Sequence, residues 1–171
     1  AELQSNFRQN ADRARNLAAK AGEARMAARP SPQGWSAAEC LAHLALSTDA
    51  FFPAWREALA GARPALDGDR RFRTDLFGRL FIWALEPPPR FRSKAPADLR
   101  PPAPGGELER FLESQDRLLE FLAKADGLPL DRIRVHSPVS SLIQYSLWSS
   151  FQVTNAHQHR HLAQAERAAG V

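Results

Sequence analysis

Apolar residues recur at helical spacing along four long stretches of this chain. In the first, from about Leu3 to Ala28, residues Leu3, Phe7, Ala14, Leu17 and Ala21 return at intervals of three, four and seven. Pro30 and Pro32 end it. The second starts at Ser36, where Ser36-Ala-Ala-Glu39 reads as a capping box, and carries the stripe Leu41, Leu44, Thr48, Phe51, Trp55 and Leu59. Pro53 kinks that helix or sits at a break, and Gly61 stops it. The third runs from about Glu107 to Ala125, with Leu108, Phe111, Leu112, Leu118, Leu119 and Leu122 inward and Gly127 and Pro129 beyond its end. The fourth is expected from about Ser141 to Ala169, opened by Ser137-Pro138 and closed by Gly170.

Residues 62–106 break this rhythm. Phe72 to Leu85 predicts a short helix packed on the others by Leu76, Leu80, Phe81 and Trp83. The prolines that follow, Pro87-Pro88-Pro89, Pro96, Pro101-Pro102 and Pro104, favour extended chain. No segment alternates convincingly as a strand. Ile133-Arg134-Val135-His136 is extended at most, and too short to imply a sheet. With no internal repeat, the pattern predicts one all-α domain over residues 1–171.

Composition changes little in this picture. Of 171 residues, 44% are hydrophobic and 25% charged, ordinary for a globular chain that can bury a core. Charged residues interrupt every candidate secretory segment near the N-terminus, and the longest apolar cluster, Leu80–Leu85, is too short to span a bilayer. A cytoplasmic protein without a membrane partner is the expectation. Leu80–Leu85 covers the core or forms a homodimer contact. The net charge of +4 is concentrated in residues 63–100, with nine Lys/Arg against five Asp/Glu. That segment is either a solvated loop or a patch for an anionic ligand. No zinc-finger or aromatic RNA-binding motif is present, so nucleic acid is not expected as a partner.

The single cysteine, Cys40, excludes an internal disulfide and a thiolate-rich metal site. A metal site would rest on histidines. His157 and His161 are four apart on the fourth predicted helix, so both lie on one face. His159 projects to roughly the opposite side at about 100° per residue. Ile143, Ser146, Ser150, Thr154, Gln164 and Ala168 fall in the sector of the pair, and its small hydroxyls suggest a cavity. Such a pair alone is more often a surface feature, because two ligands do not make a site. His43, two turns into the capped helix, borders its apolar stripe, which suits a cleft and an exposed position equally. Glu39 is accounted for by the cap and Cys40 by a small buried residue, with a thiolate ligand left open. His136 lies in a loop.

The segment Trp35-Ser36-x-x-Glu39-x-x-x-His43-Leu44, paired with His157-x-x-x-His161-Leu162-x-Gln164, resembles the DinB-like (DinB/YfiT) superfamily over nearly the whole chain. The resemblance implies a four-helix bundle of up-down-down-up topology with a long Pro/Arg-rich connection between helices two and three. It implies a divalent transition metal, zinc or nickel, on His43, His157 and His161, with Gln164 hydrogen-bonding near the ligands. Three imidazoles leave a coordination position open, as in catalytic sites. Some members of the superfamily transfer bacillithiol, mycothiol or glutathione, and others carry a metal-dependent hydrolase label. The reading is therefore an enzyme joining a low-molecular-weight thiol to a small electrophilic substrate. The alternatives are a metal-dependent hydrolase or a non-catalytic metal-binding stress-response protein. Hydrolysis needs a general base, for which the chain offers only Glu39 or Glu166, and Glu166 projects away from the histidine face.

Overall fold

The computed structural model describes residues 2–64, 72–86, 96–101 and 105–171. These form a mostly helical fold with one small antiparallel sheet: α1 (Glu2–Ala27), α2 (Ala37–Asp49), α3 (Phe52–Ala60), α4 (Leu76–Leu85), a single 3-10 turn (Ala97–Leu99), α5 (Glu107–Lys124), β1 (Arg134–Ser137), β2 (Ser140–Ser146) and α6 (Leu147–Ala169). None of the described helices is long and apolar enough to cross a membrane.

Helices α1, α2, α5 and α6 pack on one another through the stripes their sequences carry. Leu3, Phe7, Ala14, Leu17 and Ala21 of α1 are all buried, and so are Leu41, Leu44, Thr48, Phe51 and Trp55 across α2 and α3. Phe111, Leu118 and Leu122 of α5 complete the apolar interior with Leu147, Phe151 and Leu162 of α6. Asn10 is the polar member of the α1 stripe. Its amide donates to Asn155 and to Gln158 of α6, each at 3.0 Å, so it is buried without an unmet donor. Pro53 stands in the first turn of α3, where a missing N–H costs nothing, and the predicted second helix divides there into α2 and α3. Gly61 caps the end of α3.

The hairpin corrects the expectations for residues 133–146. The fourth long helix begins at Leu147, because residues 140–146 pair with 134–137 as a hairpin. Ile143 therefore lies on a strand and Ser146 is the helix cap, its hydroxyl accepting from the Ser149 amide at 3.1 Å. His136 is a strand residue opposite Gln144. Val135 and Tyr145, directly opposed and both buried, anchor this short sheet to the core.

The predicted short helix exists as α4, but of the four residues expected to pack it inward only Phe81 does so. Leu76, Leu80 and Trp83 are exposed, while Phe81 reaches the core and Gly78 is buried against α6. A Cβ on Gly78 would stand 2.6 Å from the Cβ of Ser149, so the absent side chain is what permits this approach. Asp75 caps α4, accepting from the Gly78 amide at 2.9 Å, and its own amide donates to Ser149 Oγ at 3.0 Å. The expected extended run at Pro87-Pro88-Pro89, and Pro102 and Pro104, lie outside the described residues.

Candidate metal centre

The site is built from the two helix starts inward. The Ser36 hydroxyl accepts from the Glu39 amide at 3.1 Å, and the Glu39 carboxylate accepts from the Ser36 amide at 2.9 Å, so the box fixes α2 two turns before His43. On α6, His157 and His161 face α2 from successive turns. The structure brings His43, His157 and His161 together: one ring nitrogen from each lies within 4.8 Å of the other two. Ring centroids are 5.0 Å apart for His43–His157 and 4.6 Å for each remaining pair, with steep interplanar angles. His43 is only 4% exposed, and His157 and His161 are half-buried.

His43 Nδ1 lies 2.6 Å from the carbonyl oxygen of Leu99, in the 3-10 turn. A carbonyl only accepts, so Nδ1 carries the proton and Nε2 keeps a lone pair. That Nε2 faces His157 Nε2 at 3.2 Å. Two nitrogens bound tetrahedrally at about 2.0–2.1 Å to one ion would stand about 3.3 Å apart, so this spacing fits a shared cation. His161 Nδ1 is buried and has no hydrogen-bond partner among the described residues. An orphaned imidazole nitrogen beside two convergent ones is the donor set that a divalent metal satisfies.

Electrostatics agree with that role. Burial holds the pKa of all three rings below the ordinary histidine value, and the effect on His43 is partly opposed by the Leu99 carbonyl. His157 is pushed down to about 3 by burial, then by His43 and Arg160. His161 falls well below its ordinary value by burial, then by His157, His43 and Arg160, with the Gln164 amide working the other way. Neutral imidazoles at neutral pH are the form a metal binds. Gln164 thus lies within hydrogen-bonding reach of His161.

The remaining candidates are engaged elsewhere. Burial pushes the Cys40 thiol up to about 12, so it stays protonated and packs as a small core residue with Leu17 and Ala165. Glu39 is held by Arg29 and by the cap, and Glu166 accepts from Arg13 at 2.5 and 2.6 Å. His159 is half-buried outside the cluster, its pKa lowered by burial and then by Arg13. The cluster holds no carboxylate among the described residues. The polar sector of α6 is not a cavity wall. Ser150 Oγ donates to the Leu147 carbonyl and accepts from Trp55 Nε1 at 2.8 Å, and Thr154 Oγ1 donates to the Ser150 carbonyl. These hydroxyls sit satisfied in packed interior.

Sequence reasoning missed three neighbours. The Trp35 ring lies 4.8 Å from His43 and 5.9 Å from His161, forming a wall of the site. Ser47 Oγ approaches the His43 ring at 3.4 Å, one turn further along α2, a spacing that could have been read. The Leu99 carbonyl could not, because a backbone group leaves no mark in the sequence. A family model described as the DinB superfamily matches residues 6–165. No curated protein and no solved structure matches the chain.

Proposed function

Because the chain belongs to the DinB superfamily, we propose that it is a divalent-metal enzyme that transfers a low-molecular-weight thiol to a small electrophilic substrate. In this reading residues 1–171 form one domain, its long helices arranged up-down-down-up. His43, His157 and His161 hold zinc or nickel, and Gln164 supports His161. The observation that carries it is the convergence of three neutral imidazoles without a fourth protein donor among the described residues. Structural zinc sites are closed by four protein ligands, whereas a three-ligand set leaves a position for a reactant.

A metal so held supplies Lewis acidity at that position, lowering the pKa of a thiol that reaches it. The chain's own residues prepare the ligands. Burial keeps the three rings unprotonated, the Leu99 carbonyl holds the His43 proton at Nδ1, and the Trp35 ring packs 4.8 Å from His43. The lack of a carboxylate in the cluster favours the thiol over water as reactant. A thiol ionises near pH 8.5 unaided and needs only a modest shift, while hydrolysis calls for a base that Glu39 and Glu166, paired with arginines, do not offer. The excess positive charge of residues 63–100 suits an anionic thiol cofactor.

The test is a panel of bacillithiol, mycothiol and glutathione with a chromogenic electrophile, using zinc- and nickel-loaded protein. Turnover that requires one thiol and falls to background in His161→Ala is expected. Turnover with water alone would replace this reading with hydrolysis. Metal uptake without turnover across the panel would leave a binding protein.

A further inference from the structure

The long connection between α3 and α5 does more than link them. At its far end, Pro96-Ala97-Asp98-Leu99-Arg100 folds into a 3-10 turn in which the Leu99 amide donates to the Pro96 carbonyl at 3.1 Å and the Arg100 amide to the Ala97 carbonyl at 3.2 Å. The turn aims the Leu99 carbonyl at His43 Nδ1, 2.6 Å away and 56 residues distant in sequence. His43 itself is 4% exposed, so water has little access to replace this acceptor. Free histidine interconverts between two neutral tautomers, and only the one protonated at Nδ1 presents the Nε2 lone pair that faces His157.

We propose that the Leu99 carbonyl is the positioning group of the metal centre: it selects the binding tautomer of His43 and thereby ties the order of the 96–101 turn to metal occupancy. The inference rests on the metal site proposed above, and it gives the connection a specific task. Ligand imidazoles generally donate their second nitrogen to an outer acceptor, and removing that acceptor costs about 10–100-fold in metal affinity. Here the acceptor comes from a segment outside the helices that bear the ligands. Linkage then makes the effect reciprocal: if the turn strengthens zinc binding by some factor, zinc stabilises the turn by the same factor.

The experiment uses the full chain with Zn²⁺ as probe. In zinc-free wild type, ¹⁵N NMR of the imidazoles should show His43 protonated at Nδ1 and unprotonated at Nε2. Replacing the turn with glycines (Ala97→Gly, Asp98→Gly, Leu99→Gly) should weaken zinc binding about tenfold and let His43 populate the other tautomer. Hydrogen exchange at the Leu99 and Arg100 amides should slow about tenfold when zinc saturates the wild type. A His43 protonated at Nε2 in the wild type overturns the proposal, whether or not the glycine variant folds. So does a glycine variant that is less stable but keeps the wild-type tautomer and zinc affinity, since the turn would then be structural only. Wild type that takes up no zinc but shows His43 locked at Nδ1–H would refute the metal reading and leave the Leu99 contact standing.

Discussion

Helices α6 and α4 lie against each other but are held by different physics. In α6 the buried residues include Leu147, Phe151, Leu162 and Ala165, and the helix packs against α1 and α2 as well as α4, so the histidines sit on a helix covered from several sides. In α4 one face, Leu76, Leu80 and Trp83, is open to solvent, and the helix is docked by Gly78 meeting Ser149 and by the Asp75 cap. The three histidines thus stand on helices that pack within the bundle, while α4 keeps one face in solvent. Among the described residues of the connection between α3 and α5, Leu99 of the 3-10 turn reaches the site through its carbonyl.

That contrast orders the outcomes of perturbation. The steepest response should come from the histidine cluster itself. Its rings have folded-state pKa values below 6.5, so between pH 6.5 and the folded values the unfolded chain binds more protons than the native one. Stability contributed by the neutral rings is complete above pH 6.5 and is lost as pH falls below it. Urea unfolding of metal-free protein should show this decline between pH 6.5 and 5, above most carboxylate titration, and His157→Gln should flatten it. A wild-type curve that is level across that window would refute the burial of neutral rings.

Next comes the interior. Trp55 is fully buried, stacks near Phe51 and Phe151, and donates to Ser150. Trp55→Ala should cost about 3–5 kcal/mol in urea unfolding followed by circular dichroism. Gly78→Ala brings a methyl into Ser149 and should cost about 1–3 kcal/mol despite alanine's better helix propensity. A stabilised Gly78→Ala protein would mean that α4 does not dock closely on α6. Leu80→Ser, on the exposed face, should change stability by no more than about 0.5 kcal/mol. A loss comparable to that of Trp55→Ala would mean that this face is covered.

The same contrast explains what could be read beforehand. Where apolar residues mark a single side, as in Leu3, Phe7, Ala14 and Leu17, burial followed the pattern. The capping box and the His157/His161 spacing were legible for the same reason, since helix geometry alone fixes them. His43 needed the family resemblance, because on its wheel a cleft and solvent were equivalent. Helix α4 is apolar at most positions, with Arg79 its one charged residue, so periodicity did not say which side would turn inward. Gly78 decided that, by allowing the close approach. The hairpin escaped because its strands are short and because Ile143 and Ser146 happen to continue the helical sector of His157. The Leu99 contact, a carbonyl from a distant turn, has no side-chain signature at all.

X-ray absorption at the metal edge of protein loaded with one equivalent of zinc tests the three-histidine centre most directly. The account predicts three imidazole nitrogens at about 2.0–2.1 Å plus a light exchangeable ligand, with one imidazole lost in His161→Ala. A shell containing sulfur, or failure to retain zinc at all, would contradict it.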